Sequence, residues 1–108
     1  MIQKAYDYFL ETLGNKRRLM IVDVLRAGPK SVSKIIEKTK FEQSNVSHNL
    51  RRLERCGFVT VKQQGKERIY TLNKDTIQPL MRLIDKHTTK ALHDLRLAEK
   101  EVEISTGL

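Results

Sequence analysis

The chain has 108 residues, is 39% hydrophobic and 6% aromatic, lacks Trp and carries a formal net charge of +8. That length accommodates one domain with a small core, and no apolar run approaches the roughly 18–20 residues that a membrane-spanning helix needs. The first residues lack the basic-then-apolar pattern of a leader, and the single cysteine excludes an intrachain disulfide, so a cytoplasmic protein with no membrane partner is expected.

Ala5, Phe9 and Leu13, joined by Tyr6 and Leu10, recur at helical spacing and predict a first helix over roughly residues 3–13. Gly14 breaks it, and Asn15 can cap the next helix with its side-chain oxygen. That second helix, Lys16 to Leu25, is apolar nearly all round and is expected to be the buried hub. Gly28 and Pro29 stop it, because Gly tolerates a left-handed cap and Pro cannot continue a helix. Ser31 then caps a short helix with Val32, Ile35 and Ile36 inward. Lys40, Phe41 and Glu42 make a turn into a helix running from about Gln43 to Cys56 and ending at Gly57. Two helices joined by a short turn are the layout of a helix-turn-helix, whose second helix reads DNA.

Phe58 to Gln63 is rich in β-branched residues, and Glu67 to Leu72 alternates in polarity. With Gln64, Gly65 and Lys66 between them, they predict a β-hairpin. A hairpin directly after a helix-turn-helix is a wing. Asn73 and Asp75 are candidate caps for a last helix over 76–103, with Pro79 near its first turn, where it does least harm. Apolar side chains recur there at Ile77, Leu80, Met81, Ile84, Ala91, Leu92, Leu95 and Val102. That stripe exceeds what a small core can cover, which predicts pairing with a second copy. The expected fold is mainly α with a small β-hairpin (α-α-α-α-β-β-α), a single winged helix-turn-helix domain over 1–108.

The charge is uneven. Residues 1–90 hold 19 of the 21 Lys and Arg and 9 of the 13 acidic residues, a balance of +10, whereas residues 91–108 balance at −2. A basic body attracts polyanions. On the reader helix, Gln43, Ser44, Asn45, Ser47 and His48 are the candidate base and phosphate contacts, since Gln and Asn can bind adenine edges in bidentate fashion and Ser suits bases or phosphate. Arg51 and Arg52 are candidates for phosphates. Gln64, Lys66 and Arg68 crown the wing, where basic tips reach a minor groove or adjacent phosphates. Lys30, Lys34 and Lys38 read mostly as a solvated face, and Cys56 as a buried structural thiol.

The chain resembles the ArsR/SmtB family of winged helix-turn-helix regulators. Leu13-Gly14-Asn15-Lys16-Arg17-Arg18-Leu19-Met20-Ile21 is similar to the family's entry into its second helix. Gln43-Ser44-Asn45-Val46-Ser47-His48-Asn49-Leu50 is similar to its recognition helix. Leu53-Glu54-Arg55-Cys56-Gly57-Phe58-Val59 and Lys66-Glu67-Arg68-Ile69-Tyr70-Thr71-Leu72 are similar to its wing. The likeness spans roughly residues 5–95. It implies a homodimer joined through the first and last helices, with Phe9, Leu13, Ile77, Leu80, Ile84, Ala91 and Leu95 at the interface. It also implies repression by binding a palindromic operator in double-stranded DNA.

The family's metal sites are missing their ligands. The Cys-x-Cys positions are Ser31 and Ser33. The positions on the last helix are Lys74, Thr76, His87 and Lys90, and two lysines repel a cation where zinc needs neutral or anionic donors. No metal and no cofactor are expected. Nor is an enzyme, since neither a phosphate loop nor a nucleophile–base arrangement can be named. The alternatives are a sensor switched by another ligand or by redox chemistry, and a winged-helix module that binds protein. RNA binding is a weaker case, because no aromatic platform for stacking bases stands out.

Overall fold

The computed structural model describes the backbone of residues 2–106 and the side chains of 2–91, 93 and 94. Its elements are α1 (Ile2–Leu13), α2 (Lys16–Arg26), β1 (Lys30–Ser31), α3 (Val32–Thr39), α4 (Gln43–Arg55), β2 (Val59–Gln64), β3 (Glu67–Leu72) and α5 (Ile77–Thr106). The helix starts follow from local chemistry. Asn15 accepts a hydrogen bond from the Arg18 amide at 3.1 Å, and Ser31 accepts one from the Lys34 amide at 3.1 Å. Each satisfies one of the donors that the first turn of a helix leaves free. Glu42, which precedes α4, makes no side-chain cap bond.

The wing is a three-stranded antiparallel sheet in the order β1-β3-β2, rather than a bare hairpin. Lys30 pairs with Tyr70 and Ser31 with Ile69, so β1 covers part of the free edge of β3. Two residues are too few to show a two-residue period, which is why this strand left no signal in the sequence. At the tip, Gln64 pairs with Glu67 across a two-residue turn. Gly65, the first turn residue, has φ +63. Glycine adopts that angle without strain, and it keeps the turn matched to the twist of the strands.

The core lies between α2, α3, α4 and the sheet. Ile21, Val22, Ile35, Val46, Leu50, Leu53 and Phe58 are fully buried. Phe9 of α1 meets Phe58 edge-on, with ring centroids 4.7 Å apart. This geometry suits two aromatic quadrupoles. α2 is less central than its composition suggests. Ile21, Val22 and Leu25 point inward, but Leu19 and Met20 are exposed. Its apolar residues outnumber the inward positions that one helix can offer.

α5 is anchored at its start by Ile77 and Met81 and tied to α2 by an ion pair between Arg26 and Asp85. Asn73 accepts from the Asp75 and Thr76 amides and donates to the Gly57 carbonyl, so it joins the end of α4 to the entry of α5. None of the described helices is long and apolar enough to cross a membrane.

Candidate nucleic-acid interface

α4 divides its faces cleanly. Val46, Asn49, Leu50 and Leu53 are buried, while Ser44, His48, Arg51 and Arg55 are exposed. Those four fall at spacings of four, three and four residues, so they share one stripe along the helix. Gln43 is exposed at the first helical position, and Ser47 is half-buried beside the stripe. Small hydroxyl, amide and imidazole groups on one ridge suit a groove of base edges.

The wing comes up against this ridge. Gln43 and Ser47 of α4, Lys66 and Arg68 of the wing, and Ser31 and Ser33 at the start of α3 line one open cleft of about 340 Å³. Two cations, the Glu67 carboxylate and several hydroxyls therefore face a common space beside α4. Gln64 is exposed on the hairpin tip outside that cleft. Ser31 and Ser33 matter here as hydroxyls at a helix start, whereas in the sequence Ser31 stood out as a cap and both as replaced metal ligands. Among the described residues, no cluster of three or more His, Cys, Asp or Glu side chains could hold a metal ion.

Two of the expected contacts also bond within the protomer. Arg52 points away from the outward ridge. Its Nε donates to Thr12 Oγ1 at 2.8 Å, and its guanidinium lies 4.1 Å from the centroid of the Tyr8 ring. It fastens α1 to α4 through Nε and the stack on Tyr8. Asn45 is half-buried on the same flank, and its Oδ1 accepts from Asn49 Nδ2 at 2.9 Å. A bidentate grip on adenine needs both the oxygen and the nitrogen of the amide, and Asn49 already occupies one of the two lone pairs of that oxygen.

Behind Asn45 lies a polar network that the sequence reading missed. Arg18 donates to the Thr12 carbonyl at 2.6 Å, the Glu11 carbonyl at 3.2 Å and Asn49 Oδ1 at 3.2 Å. Asn49 Nδ2 donates to both the carbonyl and the side-chain oxygen of Asn45. Thr12 Oγ1 donates to the Tyr8 carbonyl, and the half-buried Cys56 thiol lies 3.2 Å from the same hydroxyl. Burial, and then the like charge of Arg52, lower the Arg18 pKa below its usual value. Among the described residues, no buried side-chain nitrogen or oxygen is left without a partner. The signal was present in the sequence: Asn49 sits three residues after Val46 and four before Leu53, which is an inward position.

The expected dimer contacts divide in a similar way. Leu13 and Ile77 are already buried within one chain, and Phe9 packs on Phe58. These three serve the protomer's own core: Phe9 and Leu13 dock the short α1, and Ile77 anchors the start of α5. Leu80, Ile84 and Ala91 are half-buried on α5. The side chain of Leu95 lies outside the described residues. Among the described residues, the large apolar side chains left exposed are Ile2, Tyr6, Tyr8 and Leu10 on α1, Leu19 and Met20 on α2 and Leu83 on α5; Tyr6 and Leu10 at 62% and Leu83 at 63% are the most exposed.

Residues 15–61 match the family model described as bacterial regulatory protein, arsR family. The chain is also 32% identical, over 84 residues, to an uncharacterised HTH-type transcriptional regulator of Methanocaldococcus jannaschii, covering 77% of this chain and 93% of that one. The chain belongs to the ArsR family. This ArsR-family regulator is similar as well to an arsenical resistance operon repressor of Staphylococcus aureus, at 30% identity over 68% of this chain and 70% of the relative. Among solved structures it is similar to the homodimeric winged helix-turn-helix DNA-binding domain of a possible ArsR-family transcriptional regulator from Mycobacterium bovis. The TM-score is 0.79 at 25% identity, covering 86% of each chain. The ArsR-family chain is thus a transcriptional regulator built on a winged helix-turn-helix.

Proposed function

We propose that the protein is a homodimeric repressor that binds a palindromic operator in duplex DNA through α4 and the wing. The observation that carries this reading is the outward ridge of α4 with Ser44 and His48 exposed, flanked by Gln43 and Ser47, which share a cleft with the cations Lys66 and Arg68. In each subunit the ridge enters a major groove, where Gln43 reads a base edge and the serines and His48 contact bases or phosphate. Arg51, which is exposed further along α4, reaches a phosphate. The wing residues Gln64, Lys66 and Arg68 hold the flanking backbone and fix the register.

The dimer forms through the exposed stripe Ile2, Tyr6 and Leu10 of α1 against α5 around Leu80, Leu83, Ile84 and Ala91. A two-fold axis then sets the half-site centres about one helical turn of DNA apart, or a multiple of it. Repression follows from occupying the promoter. No metal releases the protein through the family's usual positions, since Ser31 Oγ caps α3 and Lys74 stands where a ligand is needed. Selection of bound sequences from random duplex DNA at 0.1 M salt tests the reading. An enriched inverted repeat is expected, and a pool that remains random would overturn sequence-specific binding.

A further inference from the structure

The flank of α4 away from the wing carries a second basic cleft. It has a volume of about 370 Å³ and is lined by Arg17, Lys40, Phe41, Glu42 and Asn45. Gln43 borders the wing-side cleft and Asn45 borders this one. Two residues apart on a helix means about 200° apart around its axis, so the two clefts lie on opposite sides of the reader. The Arg17 guanidinium sits 5.9 Å from the centroid of the Phe41 ring, which holds it over the turn between α3 and α4. Neither Arg17 nor Lys40 enters an ion pair among the described residues, so the exposed carboxylate of Glu42 neutralises neither by contact.

Lys40 stands out on a second count. Its φ of +64 makes it the one non-glycine with a left-handed backbone among the described residues. The position that ends a helix this way is usually filled by Gly or Asn, and a longer side chain there costs about 1 kcal/mol or more. The turn does not need the lysine side chain. The Lys40 amide donates to the Ile36 carbonyl at 2.8 Å, Thr39 Oγ1 donates to the Ile35 carbonyl, and the Phe41 amide donates to Thr39 Oγ1. What the lysine adds is a charge.

We propose that Arg17 and Lys40 form a phosphate-binding cleft for the DNA strand across the major groove from the one the wing touches. This rests on the DNA-binding reading above. A helix with its side chains is about 10–12 Å across, and the major groove is about 12 Å wide. A reader seated in the groove therefore has a phosphate backbone along each flank. The wing-side cleft meets one with Lys66 and Arg68, and the Arg17–Lys40 cleft meets the other. Contacts on both sides hold the helix at a fixed depth and tilt, which base readout by Gln43 requires.

The test compares the full-length chain with Lys40→Gly, Arg17→Gln and Lys66→Ala, by fluorescence anisotropy on a selected duplex and a scrambled one between 50 and 200 mM salt. Each phosphate contact contributes about 0.9 to the salt slope, hence roughly 8-fold in affinity at 0.1 M. Each substitution removes two contacts from a dimer. Lys40→Gly is expected to melt at or above the parent temperature. It should bind both duplexes about 60-fold more weakly at 0.1 M and lower the slope by about 1.8, and Arg17→Gln should behave alike in binding. If both variants keep affinity and slope while Lys66→Ala loses them, the cleft is not a phosphate site although the protein reads DNA. A loss confined to the selected duplex would also overturn the proposal, because phosphates carry no sequence. If the parent chain binds neither duplex, the DNA-binding reading fails and the cleft with it.

Discussion

Arg18 and Asn49 offer a test of the network that ties α1 to the reader helix. Arg18→Met keeps most of the volume but removes three hydrogen bonds from a charged donor. The Glu11 carbonyl is exposed and water can replace its partner, whereas Asn49 is 5% exposed and its amide oxygen is orphaned. A buried unsatisfied acceptor costs about 1–3 kcal/mol, and the short bond to Thr12 adds about 1.5, so the single change should cost about 3 kcal/mol. Asn49→Leu alone removes one of three Arg18 acceptors together with the bonds to Asn45, at about 1–2 kcal/mol. The double variant places an apolar group where the orphaned oxygen would be. Its cost should therefore fall below the sum of the singles by about 1–2 kcal/mol. Urea unfolding with an unchanged m-value measures all four corners of the cycle. Additivity within about 0.5 kcal/mol would refute a coupled network.

Three further outcomes are expected. Leu10→Glu combined with Leu83→Glu should turn the dimer into a folded monomer in sedimentation, since both side chains are exposed in one chain; a dimer that persists would place the interface elsewhere. Gly57 has φ +74 with open space around its Cβ position, so Gly57→Ala should cost about 1–2 kcal/mol in denaturant unfolding through backbone strain alone, with no change of fold. Arg52→Gln should leave the salt slope of DNA binding unchanged while lowering stability by about 1 kcal/mol, because its guanidinium bonds Thr12 and covers Tyr8; a slope lower by about 1.8 would restore it as a phosphate contact.

Periodicity and end signals located all five helices and both long strands, because each carries a repeating apolar face or a cap that chemistry dictates. Asn15 and Ser31 cap their helices through their side-chain oxygens, and Gly57 ends α4 with the left-handed backbone that glycine permits. What escaped the sequence is what depends on contacts distant along the chain. β1 has only two residues and exists because β3 offers an edge. Arg52 reads as one more cation on a basic helix until Tyr8 and Thr12, some forty positions earlier, are found beside it. Leu13 and Ile77 look like interface residues in a linear stripe, yet the packing of α1 and α5 consumes them within the protomer. Lys40 reads as part of a turn, but its left-handed backbone cannot be read from a lysine.

The central claim is that α4 reads bases with its outward ridge from each half of a dimer. Repeating the random-duplex selection with Gln43→Ala tests it most directly. The account predicts the same inverted repeat with preference lost at one symmetry-related pair of positions, a loss of about 1–3 kcal/mol in discrimination there. A binding motif identical to that of the parent chain at every position would show that Gln43 reads no base and that α4 does not lie in the groove as described.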